Sequence, residues 1–248
     1  MKIKKAVIIM LIVVLLIILI DAFLPFVLLN FSSSSVCSAI TGDRHYYAIG
    51  YIDWILPRKW SGARVSFANP DPDYSVHNST ANQSLWVSTN GSNENWAEAG
   101  YSKGWYDNYG NINPNIRTLY QAYYYAPAQI YHVYKALTPP GNPGEVHTYT
   151  ILYNKASNCW YLSIDGNYER PYPQLLTLYS KEIDIGLESG NYSNVCGRVY
   201  PYGMSFYLEN EGWMSFGKAM PKTHVSNGYY HFEYTDYSKD SGVDYNGY

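Results

Sequence analysis

The sequence predicts an all-β fold, in which antiparallel strands form a sandwich or barrel after one N-terminal hydrophobic segment. Aromatic residues make up 17% of the 248 residues and include 29 tyrosines, and aromatic side chains favour strands. Short apolar runs alternate with turns rich in Gly, Pro and Asn, which is the pattern of an all-β domain. After residue 60, no long stretch repeats with the 3.6-residue period of a helix.

The hydrophobic segment comes first in the chain. Residues 6–29 contain one charge, Asp21, in 24 residues, and three lysines precede them. About 20 apolar residues cross a bilayer, and basic flanks stay in the cytoplasm. We therefore expect a single-pass anchor in the cell membrane, with the N-terminus inside and the remaining chain outside. The apolar run 6–20 also fits a signal peptide, and cleavage of residues 1–38 would give a secreted protein.

The chain divides at changes in composition. We predict an anchor or signal segment at 1–31, a stalk or N-terminal extension at 32–60, a β-sandwich at 61–235 and a polar tail at 236–248. The extension 32–60 is either a stalk or an N-terminal strand that wraps the domain. The tail is expected to be loose at its end. Apolar and aromatic runs predict strands at 63–68, 84–89, 118–126, 129–137, 146–154, 159–166, 182–188, 204–209, 213–219 and 229–235.

Charge and cysteine content limit the partners. Without residues 1–31 the chain has 14 basic and 19 acidic residues, a balance that argues against nucleic acid. The six histidines are scattered singly, so no metal site is predicted and no cofactor is expected. Cys159 and Cys196 could form a disulfide outside the cell. Cys37 would then have no cysteine of this chain to pair with. Sequons predict a glycoprotein and occur at Asn78, Asn82, Asn90 and Asn191.

An acidic pattern occupies the segment KEIDIGLES, residues 181–189. In a strand, Glu182, Asp184 and Glu188 would share one face and the aliphatic residues between them the other. Like charges placed this close raise one another's pKa. Two interpretations follow, a solvated outer face of a strand or a carboxylate cluster on the concave face of a curved sheet.

A further carboxylate, Glu98, stands between Ala97 and Ala99 in the aromatic-rich segment NWAEAGYSKGWYDNYG, residues 95–110. Aromatic neighbours would desolvate this carboxylate and raise its pKa toward that of a general acid. The alternative is a glutamate at a strand end on the surface.

Seven short segments follow one another in an order that is typical of a known domain. Four of them are LWV at 85–87, EAGY at 98–101, YGNINP at 109–114 and YQAYYY at 120–125. They resemble the W-V strand, E-A-G-W segment, Y-G-x-x-N-P turn and aromatic strand of the neprosin domain. GARVSFANP, CWYLSIDG and NEGWMSFGKA extend the resemblance over about residues 62–235. The eqolisin glutamic peptidases are more distantly similar and have Q-T-G where this chain has Glu98-Ala99-Gly100.

The resemblance implies a concanavalin-like jelly roll of two packed sheets, with a glutamic peptidase site that acts on a polypeptide. Glu98 corresponds to the first catalytic carboxylate of the family. The second lies in an E-W-G-G-E segment, which matches Asp184 without gaps or Glu182 after a shift of two residues. We therefore predict Glu98, Glu182 and Asp184 as catalytic residues. The predicted substrate-binding residues are Trp86, Tyr101, Tyr123 and Glu188.

The predicted activity is endopeptidase cleavage with an acidic optimum. A water held between two carboxylates would lose a proton to the ionised one, Glu182 or Asp184, while protonated Glu98 acts as acid and oxyanion partner. This combination of charge states is populated mostly in acid.

Two other functions compete with this one. EIDIGLE resembles the E-x-D-x-x-E strand of concanavalin-like glycoside hydrolases such as laminarinases. Retaining glycosidases hold their carboxyl groups about 5–5.5 Å apart, whereas the outer glutamates here are six positions apart, one more than that signature allows. The other alternative is a non-catalytic surface module that binds carbohydrate or protein, since a fold does not fix a function.

Overall fold

The computed structural model describes eleven parts of the chain: residues 46–53, 60–71, 80–88, 95–106, 112–125, 130–136, 142–172, 182–190, 197–226, 229–236 and 238–246. The predicted membrane segment 6–29, the cysteines Cys37 and Cys196, and three of the four sequons lie outside these residues. Within the described parts, no helix is both long enough and apolar enough to span a bilayer.

The largest sheet has seven antiparallel strands. In spatial order they are β14 (Lys222–Val225), β1 (Tyr46–Asp53), β10 (Glu182–Ser189), β3 (Ala81–Ser88), β4 (Trp96–Tyr106), β5 (Ile112–Tyr125) and β6 (Ile130–Ala136). The acidic strand predicted at 182–188 is thus β10, in the interior of this sheet. Glu98 belongs to β4, two strands away.

A six-stranded sheet and a three-stranded sheet complete the described fold. The six strands are, in order, β13 (Gly212–Ser215), β12 (Tyr202–Leu208), β2 (Trp60–Ala68), β7 (Val146–Asn154), β8 (Cys159–Ile164) and β9 (Asn167–Tyr172). The small sheet contains β11 (Gly197–Val199), β16 (Gly242–Asn246) and β15 (Tyr230–Tyr234).

The main core lies between the two large sheets. Val65 and Phe67 of β2 join Leu85 of β3 and Ile185 of β10 in one cluster of fully buried side chains. Phe67 stacks on Tyr149 with 4.4 Å between ring centroids. Each large apolar side chain buried in this way contributes about 1.5–3 kcal/mol. The prediction of an all-β fold with packed antiparallel sheets is confirmed.

Two strands lie in the segments on either side of the predicted sandwich. β1 lies in the segment 32–60, for which a strand was one of the two expectations, and it pairs with both β10 and β14 and buries Ala48 and Ile52 completely. β16 lies in the predicted loose tail, yet Asp244 is 0% exposed. Burial of alternate residues, rather than overall hydrophobicity, keeps both strands in the fold.

The run WMSFGKA also differs from the strand predicted for residues 213–219. β13 ends at Ser215, and a 3-10 helix covers Phe216–Ala219. The Ser215 hydroxyl accepts a hydrogen bond from the backbone N–H of Gly217 at 3.3 Å. This cap satisfies a free N–H at the start of the helix and stabilises the change of conformation.

Gly186 allows β10 to approach β1 closely, and its replacement should destabilise the large sheet. Its φ is +150°, and an added Cβ would touch the carbonyl oxygen of Ala48 and lie 2.9 Å from the Cα of Ile49. We expect Gly186→Ala to lower the free energy of unfolding by roughly 2–4 kcal/mol, from backbone strain and overpacking together. Urea unfolding of the purified protein measures this loss.

The matched control is Gly190→Ala, one residue beyond β10. A Cβ there would meet its nearest neighbour, the hydroxyl oxygen of Thr80, at an ordinary 3.6 Å. We expect this variant to unfold near the wild-type midpoint. Equal midpoints for the two variants would contradict the close packing of β10 against β1.

Candidate active site

One face of the seven-stranded sheet carries the predicted catalytic acids. Residues that pair directly across antiparallel strands lie on the same face. Glu98 of β4 pairs with Trp86 of β3, and Trp86 pairs with Asp184 of β10. Glu182 and Glu188 share this face because they are two and four residues from Asp184. We call the surface formed by Glu98, Trp86 and the three acids of β10 the acidic face.

Glu98 is buried and surrounded by hydrogen-bond donors. Only 4% of the surface of Glu98 is exposed. The Tyr120 hydroxyl donates to Glu98 Oε1, and the side chains of Ser84 and Trp86 also hydrogen-bond to the carboxylate. Ser84 Oγ and the Tyr120 hydroxyl are hydrogen-bonded to each other. The two strands on either side of β4 therefore supply the groups that fix the orientation of this carboxyl group.

Gly100 makes this arrangement possible. It pairs with Ser84 of β3 on one side and with Tyr120 of β5 on the other. A Cβ at position 100 would collide with Ser84 Oγ and with the carbonyl oxygen of Gln83. Because glycine has no side chain, the Ser84 and Tyr120 hydroxyls meet over the backbone of β4, beside Glu98.

The environment of Glu98 favours its protonated form. The pKa of Glu98 is raised to about 8, first by burial and then by the negative charge of Glu188, against the opposing effect of hydrogen bonds from Tyr120, Ser84 and Trp86. Burial, followed by the charge of Glu98, also raises the pKa of Tyr120 well above its usual value. Tyr120 therefore remains a hydrogen-bond donor, and Glu98 carries a proton through acidic and neutral pH.

Glu188 is close enough to Glu98 for their charges to interact. It pairs with Asn82 of β3, whose side-chain amide donates to Glu188 Oε2 at 3.5 Å. Glu188 was predicted to bind substrate, and the structure brings its charge to both Glu98 and Tyr120. The acidic face thus contains a pair of interacting carboxyl groups, one from β4 and one from β10.

Glu182 and Asp184 have a different set of neighbours on the same face. They pair with Asp53 and Tyr51 of β1, respectively. After burial, the charges of Asp53, Glu182 and Asp184 raise the pKa of Tyr51 to about 12. Lys222 offsets part of this negative charge through an ion pair with Asp53 at 2.9 Å. The negative charge of the acidic face therefore extends from β10 to the neighbouring strand β1.

The predicted substrate-binding aromatics divide between the two faces of the sheet. Trp86 lies on the acidic face, opposite Glu98. Tyr101 and Tyr123 instead belong to the main core, which corrects their assignment to the substrate side. Tyr101 is an odd number of residues from Glu98 and therefore points to the other face. Tyr123 follows Ala122, which pairs with Glu98, so it too points to the core.

Ser84 and Tyr120 were not predicted. Glu98 pairs across the strands with Trp86 and with Ala122. Ser84 is two residues from Trp86, and Tyr120 is two residues from Ala122. That spacing places both on the acidic face once the order β3-β4-β5 is known. The sequence offered the spacing but not the strand order.

The structure describes only part of the predicted disulfide and one of the four predicted glycosylation sites. Cys159 forms no disulfide with another described cysteine, and its predicted partner lies outside the described residues. No group of three His, Cys, Asp or Glu side chains is arranged to hold a metal ion in the parts of the chain that the structure covers. The sequon residue Asn82 lies within β3, beside Glu188.

Comparison with known proteins shows a similar fold among solved structures. The sequence matches no model of a protein family and no curated protein. A scytalido-glutamic peptidase bound to a peptide-based transition-state analog aligns with a TM-score of 0.52 at 6% identity, covering 83% of this chain and 99% of that one.

Two further glutamic peptidase structures align less well. Scytalido-glutamic peptidase with a transition-state analog inhibitor has a TM-score of 0.48 at 7% identity, covering 82% of this chain and 98% of that one. SCP-B, an eqolisin-family peptidase in complex with the tripeptide Ala-Ile-His, has a TM-score of 0.47 at 7% identity, covering 83% and 99%. The alignment above 0.5 shows that this chain has the fold of a glutamic peptidase.

Proposed function

We propose that this chain is a glutamic-type endopeptidase that hydrolyses polypeptides in acid. The observation that carries the proposal is the interaction of the buried Glu98 carboxyl, whose pKa is raised to about 8, with Glu188 on one face of the sheet. General acid–base hydrolysis requires one carboxyl that holds a proton and a second that accepts one. The fold shared with scytalido-glutamic peptidase, which was solved with a peptide-based transition-state analog, supports the same substrate class.

Glu98 is proposed to act as the general acid. Tyr120 donates to its Oε1, and the Trp86 indole can only donate a hydrogen bond. Neutral Glu98 is proposed to transfer its proton to a substrate carbonyl oxygen placed on the acidic face. Protonation of that oxygen, together with the fixed hydrogen bonds around Glu98, would stabilise the charge that develops in the transition state.

A carboxylate on β10 is proposed to act as the base. It takes a proton from a water molecule whose oxygen forms a bond to the peptide carbonyl carbon, while the carbonyl oxygen takes the proton of Glu98. Collapse of the tetrahedral intermediate breaks the C–N bond, and the base returns its proton to the leaving amine. A proton from the intermediate's hydroxyl returns to Glu98. We assign the base to Glu188, since its charge acts on Glu98.

The site is proposed to act outside the cell. The apolar segment 6–29 follows three lysines, which orients a single-pass anchor with the sandwich on the outer side. The neprosin-like motif order in residues 62–235 favours that family within the glutamic peptidases. Both assignments are proposals made from the sequence.

Digestion of an unfolded protein tests the function. The purified full-length chain is incubated with a reduced, alkylated protein substrate at about pH 5 and about pH 10, and cleavage sites are read by mass spectrometry. We expect faster cleavage at about pH 5, where Glu98, with a pKa of about 8, keeps its proton while a second carboxylate can be ionised, than at about pH 10, where Glu98 has lost its proton. An absence of cleavage across this range would overturn the proposal and favour the binding-module alternative.

Substitution of each β10 acid identifies the base. We expect Glu188→Gln to lower kcat by about 100-fold or more, the size of a lost general base. Asp184→Asn and Glu182→Gln are the matched controls on the same strand, and we expect each to lower kcat less than about tenfold. A larger loss for Asp184→Asn than for Glu188→Gln would reassign the base to Asp184, the gap-free match to the resembled family.

A further inference from the structure

A second buried carboxyl group, Asp244, lies where the small sheet meets the seven-stranded sheet. Asp244 of β16 and Gln83 of β3 are both 0% exposed. Gln83 Nε2 donates to Asp244 Oδ2 at 2.7 Å. Gln83 is adjacent to Ser84, so it points to the core face, opposite the acidic face.

The pair leaves two buried oxygens without a hydrogen bond. Asp244 Oδ1 and Gln83 Oε1 both lack a partner among the described residues. Burial of an ionised carboxylate with a single neutral hydrogen bond costs several kcal/mol. Buried polar atoms almost always have partners, so two orphaned acceptors in one contact require an explanation. A proton on Asp244 Oδ1 would satisfy both atoms at once.

We propose that the Asp244 carboxyl is protonated in the folded protein and that its Oδ1–H donates to Gln83 Oε1. With the Gln83 N–H bond to Oδ2, this closes a ring of two hydrogen bonds that fastens the three-stranded sheet to β3. The attachment of the small sheet is therefore sensitive to pH, and the inference stands independently of the proposed peptidase activity.

Among the residues that the structure describes, none that pairs with Asp244 or with Gln83 carries a charge that would stabilise the ionised form of Asp244. Its cross-strand neighbours are Phe232 and Val199, and Gln83 pairs with Leu187 and Tyr101. Burial raises the pKa of Asp244 well above its usual range, and the hydrogen bond from Gln83 only partly opposes this.

The titratable groups on the facing elements are phenols. Tyr230 and Tyr234 of β15 share the inward face of the small sheet with Asp244, and Tyr101 faces from β4 by register. Phenols stay neutral up to about pH 10. The core-facing residues of β1 and β10 are apolar or uncharged, namely Ala48, Gly50, Ile52, Ile183, Ile185, Leu187 and Ser189.

The charged side chains of the small sheet lie on its other face. Arg198, Tyr245 and His231 form one cross-strand row there, in which Arg198 and His231 contact the Tyr245 ring. Glu233 shares that outward face and is exposed. Asp244 is therefore shielded from these charges by the sheet itself.

Replacement of Asp244 by asparagine tests the proposal. Asparagine supplies an N–H where the protonated acid supplies an O–H, and it does so at every pH. We expect hydrogen–deuterium exchange of β15 and β16 in the full-length wild-type protein, after correction for the intrinsic rate, to rise up to tenfold per pH unit above the pKa of an unfolded aspartate, about 3.9. In Asp244→Asn, the corrected exchange should stay flat.

Glu233→Gln is the matched control, since it removes an exposed carboxylate from the same sheet and should follow the wild type. Equal pH dependence in the wild type and Asp244→Asn would overturn the proposal. If Asp244→Asn does not fold, carboxyl-¹³C NMR of aspartate-labelled wild-type protein decides. One aspartate should remain protonated at neutral pH, and titration of every folded-state aspartate near its usual pKa would refute the inference.

Discussion

Replacement of Glu98 by glutamine is expected to lower kcat for acid cleavage of an unfolded protein by about 100-fold or more. Glutamine keeps the size of the side chain and an oxygen that accepts the Tyr120 hydrogen bond. It cannot supply a proton to the carbonyl oxygen of the substrate. The loss should appear in kcat rather than in KM, because proton transfer takes place in the transition state.

The eqolisin-like Q-T-G segment gives this variant added meaning, because glutamine stands there at the position matched to Glu98. A Glu98→Gln protein with the full wild-type rate would show that position 98 acts through hydrogen bonding alone. Glu233→Gln, an exposed change on the small sheet, serves as the control and should leave kcat unchanged. Equal rates for all three proteins would refute the role assigned to Glu98.

The free energy of unfolding is expected to fall as the pH rises from about 5 to about 8. Burial gives Glu98 a pKa of about 8 in the folded protein, against about 4.3 in an unfolded chain. Between these values the folded state binds one proton more than the unfolded state. Its stability therefore decreases by up to about 1.4 kcal/mol per pH unit. Asp244, whose pKa is also raised, adds a loss of the same sign.

Exposed acids oppose this trend only weakly. Lys103 and Arg117 bind Asp71 and lower its pKa, so their contribution is lost as the pH falls. Asp71 has 49% of its side chain exposed, and a surface ion pair contributes about 0–1 kcal/mol. Glu98 and Asp244 should therefore determine how stability changes with pH. Their combined loss of several kcal/mol is a large part of a typical stability of about 5–15 kcal/mol.

Urea unfolding at a series of pH values measures this effect. Glu98→Gln and Asp244→Asn should each reduce the slope of stability against pH, and the double variant should nearly remove it. These two sites lie on opposite faces of the sheet, so their effects should be close to additive. Wild-type stability that increases steadily from pH 5 to 8 would contradict the protonated burial of both groups.

The alternation of residues predicted part of this structure from the sequence. In β10 the aliphatic residues face the core and the acids face away, as the two-residue period requires. The same rule could not select the base, because it places Glu182, Asp184 and Glu188 on one face. The selection depends on the pairing of β10 with β3 and of β3 with β4, which long-range packing decides.

The strands missed by the prediction show where local pattern is insufficient. β16, GVDYN, has one aliphatic residue and a buried aspartate, so its hydrophobic pattern is weak. Its partner Gln83 is 161 positions away in sequence. The placement of Tyr101 in the core shows the reverse case, since proximity to Glu98 in the sequence gave no information about which face it occupies.

The hydrogen bond between Ser84 and Tyr120 above Gly100 joins three neighbouring strands at a single point. Sliding of β4 past either neighbour would separate the two hydroxyls and release the Glu98 carboxyl from its fixed orientation. The orientation of the Glu98 carboxyl therefore depends on strand alignment, and a molecule whose sheet has slipped would retain its β-structure while losing the geometry on which the proposed proton transfer depends.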